Sequence, residues 1–152
     1  MYTSSLITLL LVASAAAWPF HTTPSFIQDH FEILRLRAST TVDPAAVTST
    51  TCTDTTANIV FHDQNVAELA ICGGIAGTIV KCGGAPTSTT GSSGTALFSL
   101  KAADAGATIN VSKGRWEGCV RAAQATCPTG GFSSTCVGGA STGNVAFTLS
   151  AQ

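Results

Sequence analysis

The sequence predicts an α+β domain, an antiparallel sheet with two helices packed on one face, stapled by disulfides. Three observations lead there. Six cysteines, Cys52, Cys72, Cys82, Cys119, Cys127 and Cys136, follow an N-terminal segment of secretory type. Short apolar runs bounded by Gly, Ser and Thr read as strands. Two segments read as helices, and the order of elements recurs along the chain as a duplicated β-α-β-β unit.

The chain opens MYTSSLITLLLVASAAAWPF. Leu6 to Val12 form an apolar core, followed by Ala13-Ser14-Ala15-Ala16-Ala17. This is the pattern of a signal peptide, 1–17, cleaved after Ala17. The apolar run falls short of the roughly 20 residues that span a bilayer, so no transmembrane anchor is expected.

Residues 18–37 read as a pro-segment. Ser25 and Gln28 have capping-box spacing. Ile27, Phe31 and Leu34 form a short apolar stripe, and Arg35 and Arg37 lie in the last turn, where they suit the helix dipole. An amphipathic helix over 25–37 follows. After Arg37 the composition turns to Thr, Ser, Ala and Gly, which makes Arg37 the candidate processing site.

The remainder, 38–152, has the length of one domain. It carries five Lys and Arg against six Asp and Glu, a net charge of −1. So little basic charge excludes nucleic-acid binding, which rests on neutralising phosphates. It also excludes lysis of anionic membranes.

The cysteines read as three disulfides, with 15 pairings open. Each cross-link stabilises a small Gly-, Ser- and Thr-rich domain by roughly 2–4 kcal/mol. Zinc would need CxxC pairs or a His near a Cys, and neither occurs. No metal and no cofactor are expected. Adjacent Cys-Cys doublets of the hydrophobin kind are absent as well.

The repeat sets residues 57–100 beside 107–150. Cys72 aligns with Cys127, and Cys82 with Cys136. Within the first copy, Ala57–Phe61 is expected as a strand and Asn65–Cys72 as a helix whose inner face is Val66, Leu69 and Ala70. Thr78–Cys82 reads as a second strand. Thr95–Lys101 and Thr108–Lys113 read as strands of one hairpin around Ala-Asp-Ala-Gly. Gly114–Cys127 is the clearest helix. Trp116, Cys119, Val120, Ala123 and Cys127 make one continuous stripe. Pro128 and Gly130-Gly131 stop it. Trp116 is read as core, and the two helix cysteines as ties to the sheet beneath.

Asn110-Val111-Ser112 is the one N-glycosylation sequon. With Ile109 and Val111 facing inward, Asn110 faces solvent. In 38–152 the sole histidine is His62, next to Asp63. The pair reads as a turn before a helix, with Asp63 as N-cap, rather than half of a general base. Glu68 and Glu117 hold related places in the two repeats, where a glycosidase pair would need them convergent. Gly73-Gly74 and Gly83-Gly84 lack the context of a phosphate loop. A non-enzymatic protein is expected.

The β-α-β-β-α-β order, the six cysteines and the Cys-bearing helix followed by a Gly-rich loop and the strand Asn144–Leu149 resemble small secreted fungal proteins. They are similar in particular to the killer-toxin-like α/β sandwiches among toxins and plant-pathogen effectors. The resemblance is architectural and spans roughly 57–150. It implies a secreted, extracellular protein that binds a surface protein or polysaccharide of host or microbial cells, and it carries over no catalytic residues. A cell-wall or carbohydrate-binding module and a small secreted hydrolase are the alternatives.

Overall fold

The computed structural model describes residues 41–75 and 82–152. The expectations for the signal peptide, the helix over 25–37 and Arg37 lie outside these residues, as does the strand expected over 78–82, except Cys82. Thr41–Gln152 form one compact unit. A 3₁₀ turn, Pro44–Ala46, starts from Asp43, whose carboxylate accepts from Ala45 N. The strands are β1 Val47–Asp54, β2 Ser88–Ser93, β3 Ala96–Ala102, β4 Gly131–Gly139 and β5 Asn144–Ala151. The helices are α1 Phe61–Ala70 and α2 Lys113–Thr126. Every strand pairing is antiparallel, in the order β1-β4-β5-β3-β2.

The inner face of the sheet follows from strand alternation. Phe98 and Leu100 of β3 stand opposite Leu149 and Phe147 of β5, and Leu149 stands opposite Phe132 of β4. All five are buried. Trp116, fully buried, meets Phe98 and Phe147 edge-on, at centroid separations of 5.3 and 5.1 Å. These contacts follow the quadrupole preference of aromatic rings. The indole also needs a hydrogen-bond acceptor. It finds the Glu68 carbonyl at 2.8 Å, which lies in the last turn of α1 and so lacks an intrahelical partner. One side chain thereby fills the core and joins the two helices.

Three disulfides pair all six cysteines: Cys52–Cys127, Cys72–Cys82 and Cys119–Cys136. Both cysteines of the α2 stripe therefore bond to strands, Cys119 to β4 and Cys127 to β1. The pairing does not follow the repeat, since Cys127 and Cys136, the counterparts of Cys72 and Cys82, do not bond to each other.

Other expectations need correction. Residues 57–60 form no strand, and Phe61 already opens α1. The strand that precedes this helix in the chain is β1, the hydroxyl-rich VTSTTCTD, which ends at Asp54, with residues 55–60 between it and Phe61. Asp63 is not the N-cap. Val60 holds that position, and Asp63 sits in the first turn. The inner face of α1 is Gln64, Ala67 and Glu68, continued by Ile71 just past its end, not Val66, Leu69 and Ala70, and Val66 is exposed. The helix stops at Ala70 because Cys72, Gly73 and Gly74 all take positive φ. Thr108–Lys113 forms no hairpin with β3. Ile109 makes a single bridge to Ala140, Lys113 begins α2, and β3 pairs with β2 and β5. The segment Ser88–Ser93, where no strand was expected, is an edge strand.

Candidate functional site

Opposite the aromatic face, the alternate positions of the strands carry hydroxyls. One row crosses the whole sheet: Thr90, Ser99, Thr148, Ser133 and Thr51 are consecutive cross-strand partners. The row beside it is Ser88, Lys101, Ala146, Thr135 and Thr48. Thr48 and Thr51 both join this face although three residues apart, because the ladder slips between them and Ser49 takes a positive φ of 57°. At about 4.8 Å per strand, each row extends roughly 19 Å. Thr90, Thr148, Thr51 and Lys101 are exposed. A shallow depression lies over the middle of the face, between Ser99, Thr148 and Thr135. No element among the described residues packs on it. Lys101 is the one charged side chain in these two rows.

Asp63, and not the neighbouring His62, fastens the start of α1. The Asp63 carboxylate accepts from Thr95 N at 2.9 Å and from the Thr95 hydroxyl at 3.0 Å. That hydroxyl accepts in turn from Val60 N at 2.8 Å. The network pins the start of α1 to the turn between β2 and β3. Gly94 in that turn has φ +48°, and a Cβ there would strike the Asp63 carboxylate. The Thr95 N–H holds the Asp63 carboxyl below its usual range, with help from the Thr95 hydroxyl and the nearby His62. His62 is exposed and not part of this network's hydrogen bonds to Thr95. Asp54 is lowered similarly, first by the Thr56 hydroxyl and then by the Thr56 and Ala57 amides.

Glu68 is buried under α1, while Glu117 pairs with Lys113 across one helical turn at 3.9 Å. Asn110 is exposed between buried Ile109 and Val111, and its backbone N donates to Gly139 O. Among the described residues, no group of three His, Cys, Asp or Glu is placed to hold a metal. No helix among them is long and apolar enough to cross a membrane.

Sequence reasoning missed the hydroxyl face. The signal was present as the Thr-rich runs VTSTTCTD and STTGSS, since Thr is a good strand former. It was obscured because Ser and Gly beside it also mark loops. No protein-family model, curated protein or solved structure matches the chain.

Proposed function

We propose that this chain is a secreted, disulfide-stapled protein of the effector or killer-toxin-like kind, acting by binding the surface of host or competitor cells rather than by catalysis. The observation that carries the reading is the open sheet face, with a hydroxyl row crossing all five strands. Such a face offers many weak, neutral hydrogen bonds on a rigid scaffold, which suits recognition of a broad surface. The engagement of Asp63 with Thr95 supports a non-enzymatic role, because the best general-base partner for His62 is already committed. Three disulfides support release into an oxidising compartment. In this reading 1–17 is removed as a signal and 18–37 as a pro-segment. Phe61–Ala102 and Lys113–Ala151 each run helix, strand, strand, which supports descent of 57–100 and 107–150 from one duplicated unit, with both helices on the same face of the sheet.

The test uses the secreted full chain, fluorescently labelled, on plant protoplasts and competing microbial cells. Saturable binding is expected, and the variant Ser99→Lys/Thr148→Lys should lose it without change in the circular dichroism spectrum. If the protein neither binds nor affects any of these cells, the proposal fails. Intact mass checks maturation: the expected species starts near Ala38 and gains about 6 Da on reduction of its three disulfides. The hydroxyl rows also favour a second reading, a cell-wall polysaccharide module. Retention on chitin or glucan, unaffected by cell-surface protease treatment, would select it.

A further inference from the structure

On the helix side of the sheet, a cleft of about 470 Å³ opens between the start of α1 and the residues that follow α2. That size is typical of small-molecule sites. Phe61, Ile59, Pro128 and Phe132 supply apolar walls, and Asn58, Gln64 and Gln124 supply amides. Two of these side chains are hard to explain by folding alone. Gln64 is only 7% exposed, and its Nε2 has no hydrogen-bond partner. A buried donor left unpaired is destabilising, and native structures contain few of them. Leu or Met would suit the same helical position at least as well. Phe61, at the rim, is 70% exposed and sits beside exposed Val60.

We propose that this cleft binds a neutral saccharide unit. The lining includes no charged side chain, which disfavours ions and charged ligands. Amides both donate and accept, and so match the vicinal hydroxyls of a sugar. Gln64 lines the cleft, and a turn of its carboxamide brings the unpaired Nε2, enclosed as it stands, to an acceptor oxygen such as a sugar hydroxyl, ring oxygen or N-acetyl carbonyl. The open face of Phe61 suits the C–H face of a pyranose ring. A largely preformed apolar cleft with a few convergent polar groups is the usual form of such sites. The assignment is independent of the hydroxyl face, so either can fail alone.

The experiment is a ¹H–¹⁵N correlation titration of the full secreted chain with chitotetraose and with laminaritetraose, one N-acetylated and one unsubstituted, each to about 10 mM. Saturable shifts of the Gln64 and Gln124 side-chain amide pairs are expected with at least one of them. Gln64→Leu and Phe61→Ala should each weaken that binding by about tenfold or more. Gln64→Leu should do so with Tm unchanged or raised, which separates lost recognition from lost folding. The proposal is overturned if neither sugar moves the Gln64 amide, or if Gln64→Leu binds as the parent does. Shifts confined to Thr90, Ser99 and Thr148 also overturn it while sustaining the surface reading. A neutral tetra-alanine peptide that saturates the cleft when both sugars fail would replace the saccharide assignment.

Discussion

The two helix–hairpin halves of the domain are built by different means. In the C-terminal half, α2 presents Trp116, Cys119, Val120 and Ala123 inward, all buried. Two disulfides tie that helix region to β4 and β1, across sequence separations of 17 and 75. In the N-terminal half, α1 presents Gln64, Ala67 and Glu68, two of them polar. Its nearest disulfide, Cys72–Cys82, closes a separation of only 10 and links no strand to the helix. The contrast assigns most of the stability to the C-terminal half and leaves the N-terminal half free to spend buried surface on polar groups. Such departures from apolar packing concentrate where function lies.

The largest test of this contrast removes the disulfides one at a time as Cys-to-Ala pairs. In the loop-entropy account, loss of Cys52–Cys127 costs about 4.5 kcal/mol, Cys119–Cys136 about 3, and Cys72–Cys82 about 2.7. Urea unfolding should return that order. If removing Cys72–Cys82 proves the most damaging, stability is centred on the N-terminal half and the comparison is wrong.

Trp116→Ala comes next, at about 4 kcal/mol. It empties the space between Phe98 and Phe147 and leaves the Glu68 carbonyl without its indole donor. Trp116→Phe separates these effects in part, since it keeps a ring while deleting the hydrogen bond and some of the indole's volume, at about 2 kcal/mol. Thermal melts of both variants measure the difference. Equal losses would mean that the link between the halves is polar rather than aromatic.

How much of this could be read in advance divides along the same line. For α2, the stripe from Trp116 to Ala123 has the helical period, and Pro128 follows to stop it, so its start and end were legible to within a residue. The tail strand, Asn144–Ala151, alternates cleanly between buried and exposed positions and was equally legible. The α1 face was misplaced because apolar Val66 faces solvent while Gln64 and Glu68 are buried, which inverts the rule a sequence reader must use. The strands β1 and β2 were missed because their outward positions are Ser and Thr, and hydroxyl-rich segments resemble loops. The hydroxyl face consists of such positions, so the candidate site was hidden with its strands. The cysteine pairing was open in principle, because spacing alone does not choose among 15 connectivities.

Gly91→Ala is a smaller probe of the N-terminal half. An added Cβ at Gly91 would strike the Ala67 carbonyl and crowd the Ile71 backbone. The helix must then rise from β2, a cost of about 2 kcal/mol. Amide exchange should speed up in α1 and β2 while α2 stays protected. Uniform acceleration across both helices would show that the halves do not open separately.

The smallest effect concerns acid. The start of α1 is fastened to the β2–β3 turn by Asp63, whose carboxylate takes two hydrogen bonds from Thr95. Its folded-state pKa lies below 3.8. A carboxyl lowered in this way adds stability that is complete above its unfolded value and is lost as pH falls through the folded value. The parent should therefore weaken only in acid, below about pH 4. Asp63→Asn removes the titrating group. Its Tm deficit against the parent should be present at pH 7 and close progressively below pH 3.8. Asp54, lowered by Thr56 and Ala57 beyond the end of the β1 ladder, leaves some acid slope in this variant, and Asp54→Asn/Asp63→Asn should flatten it further. A deficit that persists unchanged at pH 2.5, well below both ordinary carboxyl values, would mean that Asp63 acts through shape and not charge. If the deficit closes, the halves differ in what loosens them: the N-terminal helix responds to acid through hydrogen bonds, whereas the C-terminal helix responds to reductant through covalent ties.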